Sequence, residues 1–200
     1  MKYIDLTHTF VAGMPVYPGD PIPELTQIAD LHKEGYTDYQ IKTGMHVGTH
    51  MDAPLHMIDG GKRLSDIAVE KFIGKGCLVD ARDASVVSAD FLEKSRAKKD
   101  DVVLIMTGFS EKYHQSEYYE KFPEIGEDFA DKAIELGVKI VGMDTPSPDR
   151  PPFKVHKLLL AKEILIIENL VNLELLLGIK DFEVFALPAK LHTEAAPVRV

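Results

Sequence analysis

Tryptophan is absent from this 200-residue chain, and cysteine occurs once, as Cys77. A lone thiol closes no internal disulfide, so a reducing, cytoplasmic setting is the expectation. No stretch approaches the roughly 18 uninterrupted apolar residues of a membrane span, and even the apolar run EILIIENL is broken by acids. The opening MKYIDLTHTF lacks the long apolar region and small-residue cleavage site of a secretory signal. Cations are outnumbered: 23 Lys and Arg against 32 Asp and Glu give a formal net charge of -9, with no basic patch. That balance argues against nucleic acid and against an anionic membrane surface, leaving a small molecule as the expected partner. Internal repeats, low-complexity tracts and Gly/Ser linkers are missing as well, so residues 1–200 are expected to form one domain. At this length a chain buries roughly two-thirds of its unfolded surface, enough for one substantial core.

What is present reads as interleaved strands and helices. KYIDLTHTF alternates in part, and MPVYPGDPIPEL, with four prolines, reads as a surface loop. YTDYQIKTGMHVGTHMDAP favours strand, and GKGCLVDAR, DDVVLIMTGF and VKIVGMDT read as short buried strands. VSADFLEKSRAK opens on Ser88 as an N-cap, and EDFADKAIELG carries apolar residues near helical spacing, with Gly137 as its stop. HKLLLAKE reads as a helix, and ILIIENL and KDFEVFALPAK as strands. The class is therefore α/β or mixed α+β, with the site on loops at strand ends.

Chemistry concentrates in one segment. His46, His50, Asp52 and His56 fall within eleven residues of a chain that has eight histidines in all. Imidazole nitrogens and a carboxylate are ligands for borderline divalent ions, and an aspartate can bridge two ions with its two oxygens. The four share parity, which would align them on one face of an extended strand. A straight strand would nevertheless hold the first and last about 33 Å apart, so the backbone has to bend, with Gly48 and Pro54 marking where. A helix suits His46 and His50 but turns Asp52 elsewhere. Any one of these histidines alone reads as a hydrogen-bonded core or loop residue; four together read as a metal centre.

The segment from His46 to His56 matches H-x-G-T-H-x-D-x-P-x-H at every fixed position, and so resembles the cyclase family of metal-dependent hydrolases, which includes bacterial kynurenine formamidases and isatin hydrolases. The resemblance extends to Tyr3–Thr7, Met14–Asp20, Thr107–Phe109, Val141–Ser147 and Pro197–Arg199, nearly the whole chain. It implies a mixed β/β/α domain of the swivelling type and homo-oligomers, dimers or larger. By that similarity His46, His50 and Asp52 are ligands of a first metal, Asp52 reaches a second, His156 belongs to the second, and Glu168 is shared. Unaided, His156 reads as a polar group at a helix start and Glu168 as an exposed strand residue, although an acid in so apolar a run is odd. Two divalent ions per chain are implied, zinc or, with the same ligands, manganese. His56 resembles the family's proton donor and acceptor rather than a ligand. The implied reaction is hydrolysis of an amide by metal-activated water.

The absence of tryptophan returns at this point. Formamidases of the family commonly carry Trp before the Pro-Gly-Asp of the N-terminal loop and another after the central Thr-Gly; Tyr17 and Phe109 stand there instead. Smaller rings alter the wall that would stack on an aniline, while the metal chemistry is unaffected. The leading expectation is an arylformamidase-like hydrolase of N-formylkynurenine or a related small amide. The alternatives are an isatin-type cyclic amide hydrolase, a cyclase or lyase, and a metal-binding protein without turnover. A proton-carrying His56 disfavours the last. Cys77 reads as a buried strand residue, and Ser110 and Ser147 lack the flanks of a nucleophile elbow.

Overall fold

A computed structural model describes residues 2–200. In chain order the elements are β1 (Glu24–Ala29), α1 (Leu31–Glu34), β2 (Asp38–Lys42), β3 (His50–Asp52), β4 (Ile73–Asp80), β5 (Val86–Val87), α2 (Ala89–Lys94), β6 (Val102–Met106), α3 (Glu117–Glu120), β7 (Glu124–Ile125), α4 (Glu127–Leu136), β8 (Ile140–Met143), α5 (Lys154–Ala161), β9 (Leu165–Glu168), β10 (Glu183–Phe185), β11 (Leu187–Pro188) and β12 (Ala195–Arg199). Eight strands form one mixed sheet in the order β10-β4-β6-β8-β9-β3-β12-β11. β4, β6, β8 and β9 run parallel, and β10, β3, β12 and β11 extend the sheet with antiparallel pairs. The expected α/β class, mixed and single-domain, is the one found.

β6, β8 and β9 up to Glu168 are apolar runs because both of their faces are covered. Along β6, Val102, Leu104 and Met106 pack into one core with Met51, Leu165, Ile167 and Leu173, while Val103 and Ile105 pack into a second core under the helices. Phe129, Ala130 and Ala133 of α4 and Leu159 and Leu160 of α5 are the helical side of that second core. α4 ends at Gly137, whose φ of 72° is the left-handed stop anticipated from the sequence. Ser88 does precede α2, yet its side chain makes no cap; Asp128 of α4 instead accepts from the Ala89 N–H at 2.9 Å. KYIDLTHTF forms no regular strand: it contributes one isolated bridge, Thr7 to Leu170. The loop assigned to MPVYPGDPIPEL gives way at Glu24 to β1, which pairs with β2 as a separate two-stranded sheet.

Candidate metal centre

The segment from His46 to His56 bends as its residues require. A turn carries His46, with Gly48 at φ 66°; β3 carries His50 and Asp52; a single 3-10 turn, Pro54–His56, begins at the proline and ends on His56. An added Cβ at Gly48 would sit 2.7 Å from the Met14 methyl, so both the backbone angle and the space favour glycine there. The long common face expected from parity survives only in β3, where it is decisive. Met51 points into the core beneath the sheet, and His50 and Asp52 point to the other face.

Strand register then supplies a third ligand. His50 pairs with Glu168 across β3 and β9, and Asp52 with Ile166, so alternation puts Glu168 on the same face as both. α5 lies over this face and lowers His156 onto it, a buried residue rather than an exposed helix start. Glu168 is likewise buried, against the exposed position its sequence alone implies.

Donor geometry fixes how these groups face one another. The Nδ1 of His50 is 2.8 Å from the Gly48 carbonyl and donates to it, leaving Nε2 to face Glu168 Oε2 at 3.2 Å and Asp52 Oδ1 at 3.5 Å. The Nδ1 of His156 donates to Asp149 Oδ1 at 2.6 Å, leaving Nε2 3.2 Å from Glu168 Oε1 and 3.9 Å from Asp52 Oδ2. A neutral histidine whose Nδ1–H is committed has only a lone pair at Nε2, and both histidines present it to carboxylate oxygens. Such an arrangement is repulsive unless a cation is shared between the pair. Asp52 is fully buried, and neither of its oxygens, nor the His50 Nε2, has a hydrogen-bond partner. Burying those groups unpaired would be costly, and a divalent ion removes the cost. Protons answer the same field: against the opposing effect of burial, Asp52 and Glu168 push His50 up to about 9, and Asp149, Glu168 and Asp52 push His156 up to about 10. Asp52 is held well below the usual carboxylate range because the cationic imidazoles, His50 foremost, outweigh burial. The donor set fits one or more divalent ions.

His46 and His56 complete the rim. His46 Nδ1 is 3.0 Å from Asp52 Oδ1, and its Nε2 is 3.4 Å from Glu194 Oε1. The His56 ring lies 4.2 Å from that of His46 and 5.8 Å from that of His156, centroid to centroid. One His56 nitrogen comes within 4.8 Å of donor atoms on His46 and Asp52, so the geometry admits it as a ligand as well as a proton carrier. Burial lowers its basicity, with His46 and His156 adding to the effect against the pull of Asp52.

An aromatic cluster abuts the metal loop at Val47: Tyr113 and Tyr118 are buried there, with Phe109 and Tyr119 against them. Tyr118, wholly buried on α3, donates to Asn169 Oδ1 at 2.9 Å, and Asn169 Nδ2 donates to the Gly48 carbonyl at 3.0 Å. That carbonyl also receives the His50 Nδ1–H, so the chain from Tyr118 through Asn169 sets the orientation of His50. Phe109 stacks on Tyr118 at 5.7 Å and follows a turn held by Asp144, whose carboxylate accepts from Thr107 N, Thr107 Oγ1 and Gly108 N at 2.9, 2.6 and 2.8 Å. Tyr17 meets Tyr119 edge-on at 5.9 Å; burial and the Glu168 carboxylate raise its phenol. Asp149, Asn169 and Glu194 were not foreseen. Asp149 precedes His156 by seven residues across a proline pair, a spacing with no periodic signature. Cys77 is a buried strand residue, as expected.

The family model described as "Putative cyclase" matches residues 4–150. An uncharacterized protein of Methanocaldococcus jannaschii is 37% identical over 202 residues, spanning 100% of this chain and 97% of its own. The kynurenine formamidase of Bacillus anthracis is 27% identical over 203 residues, covering 99% of this chain and 95% of its own. Among solved structures, isatin hydrolase A from Labrenzia aggregata superposes with a TM-score of 0.87 at 24% identity, over 98% of this chain and 91% of that one, a likeness of fold. A potential metal-dependent hydrolase with cyclase activity superposes at 0.79 with 30% identity, over 98% and 94%.

Proposed function

The chain belongs to the cyclase family of metal-dependent hydrolases, and from that footing we propose that it cleaves a small, aromatic N-acyl amide of the N-formylkynurenine type. The observation that carries the reading is the pair of buried carboxylates, Asp52 and Glu168, faced by two histidines that each commit Nδ1 as a donor. His46, His50 and Asp52 would hold a first divalent ion. Asp52, His156 and Glu168 would hold a second, with Glu168 shared. Zinc suits this set of nitrogen and oxygen donors, and manganese can take its place. Bound there, the ions supply Lewis-acid polarisation of the amide carbonyl and a lowered pKa for water.

The chain's own residues do the remaining work. His56, kept neutral near pH 7 by burial, accepts a proton from the attacking water at a ring nitrogen and returns it to the departing amide nitrogen. Its ring lies close to those of His46 and His156, and one of its nitrogens comes within 4.8 Å of an Asp52 oxygen. Asp149 and the Gly48 carbonyl hold the tautomers of His156 and His50, so the Nε2 lone pairs stay aimed at the centre. Tyr17 and Phe109, set in the aromatic cluster by Tyr119 and Tyr118, form the wall for a substrate ring.

The test is turnover of N-formylkynurenine and of isatin by one preparation, with and without chelator. Chelator-sensitive release of formate from the former supports the reading. Turnover confined to isatin would transfer the site to cyclic amides, and turnover indifferent to chelator would overturn it.

A further inference from the structure

His50 and His156 each have an acceptor on the ring nitrogen turned away from the buried carboxylates, the Gly48 carbonyl for one and Asp149 for the other. His46 has a counterpart in Glu194. Its Nε2 faces Glu194 Oε1 at 3.4 Å, while Nδ1 of the same ring lies 3.0 Å from Asp52 Oδ1. The two nitrogens of an imidazole point away from one another, so Glu194 and Asp52 stand on opposite sides of the ring. Glu194 is therefore not placed to share an ion held between His46 and Asp52.

The local fold puts Glu194 there. It is the last residue before β12, whose Ala195 pairs with Asp52 across the β12–β3 ladder. The Glu194 carbonyl accepts from the Ala53 N–H at 2.8 Å, and the preceding Thr193 carbonyl accepts from the Leu64 N–H at 3.0 Å. Thr193 Oγ1 donates to the Ala195 carbonyl at 2.7 Å, so the backbone is pinned on both sides of the acid. Among the described residues no Lys or Arg makes an ion pair with Glu194, and His46 is its one charged partner.

We propose that Glu194 is a positioning residue for His46: its carboxylate holds the ring proton at Nε2, leaves the Nδ1 lone pair for the ion, and so sets how long that ion stays. The inference rests on the two-ion assignment proposed above. A histidine that ligates through Nδ1 keeps a single proton, and Glu194 is the group that faces it. Exposure then separates the two ions. The side chains of His46 and Glu194 are 25% and 37% exposed, against 3% and 8% for His156 and Glu168. An ion on the His46 side leaves past a partly open ring, whereas one between His156 and Glu168 is enclosed. The His46 ion is the exchangeable one, and Glu194 governs its exit.

Release of zinc from the loaded full chain into excess pyridylazoresorcinol, a chromogenic chelator, tests this once elemental analysis has fixed the starting content. The wild type is expected to release its zinc in two phases. Glu194→Ala should speed the fast phase about 10- to 100-fold and leave the slow one unchanged. Glu194→Gln, whose amide oxygen still accepts the Nε2–H, should restore most of the difference. Proton–nitrogen correlation spectra of the zinc-loaded wild type should show His46 protonated at Nε2, a readout that stands even if the Ala variant does not fold. A single phase in the wild type overturns the proposal, as do equal acceleration of both phases, wild-type rates in Glu194→Ala, a Gln variant no better than Ala, or a His46 proton on Nδ1. Protein that takes up no zinc overturns the two-ion assignment itself, a failure distinct from that of a two-zinc protein whose release ignores Glu194.

Discussion

His50 and Glu168 are direct partners across the β3–β9 ladder, and their Nε2 and Oε2 atoms lie 3.2 Å apart with the His50 proton committed elsewhere. Strand pairing thus builds half of the candidate metal centre. Asp52 joins by being two residues on from His50, and His156 arrives from the helix packed above.

In the proposed assignment Asp52, like Glu168, serves both ion positions, so its replacement is expected to empty both. Asp52→Ala should bind less than a tenth of the wild-type metal and lose at least 1,000-fold in turnover. The apo variant should be less stable than the apo wild type at neutral pH, because it removes the carboxylate that pairs with His46 and His50 and leaves those buried imidazoles uncompensated. Elemental analysis and urea denaturation check the two halves.

Asp149 acts through His156. Asp149→Ala frees the His156 Nδ1–H and the Val155 N–H, both of which it accepts. Affinity for one of the two ions is expected to fall 10- to 100-fold while the other holds, read by competition against a graded chelator.

His56 separates proton transfer from metal binding. His56→Ala is expected to keep its metal and lose about 100- to 10,000-fold in turnover. Loss of an ion in step with activity would instead make His56 a ligand, which its distance to His46 and Asp52 permits.

How much of this was legible in the sequence differs by residue. The cluster from His46 to His56 is local, and its donor types and the two bend-permitting residues announce a metal loop before any fold is known. The buried strands were legible too, because parallel strands covered on both faces are uninterrupted apolar runs. Glu168 and His156 depend on register and on a helix crossing, which are properties of distant pairings, and they came only through family resemblance. Asp149 and Asn169 had no signal at all: each is defined by the atom it touches. Of the β1–β2 hairpin, β2 lies in a stretch that reads as strand, whereas β1 is hidden for another reason. Prolines in MPVYPGDPIPEL mark a loop correctly, but they hide that the chain becomes extended as soon as they cease at Glu24.

Gly48 tests the bend. Gly48→Ala takes on a left-handed φ costly for a side chain, and its Cβ would press on the Met14 methyl. A loss of about 1–2 kcal/mol in denaturant melts is expected, with weaker metal binding because the Gly48 carbonyl orients His50.

Acid should weaken the fold through His8, whose backbone N–H donates to Thr49 Oγ1 at 3.0 Å. Burial, with His114 adding to it, lowers His8 to about 4, and its ring is stacked on Tyr113 at 3.8 Å. Above about pH 6.5 the ring is neutral in both states and the contribution is whole. As pH falls from 6.5 towards 4 the unfolded chain takes up a proton that the folded one refuses, so stability declines. In metal-free protein, His8→Gln is expected to flatten the melting temperature across that window relative to wild type.

Whether His46, His50, Asp52, His156 and Glu168 hold divalent ions is decided by elemental analysis of protein purified without added metal, then re-measured after dialysis against zinc or manganese. Close to two ions per chain are expected, removed by a strong chelator together with turnover. A correctly folded protein that takes up neither metal would contradict it.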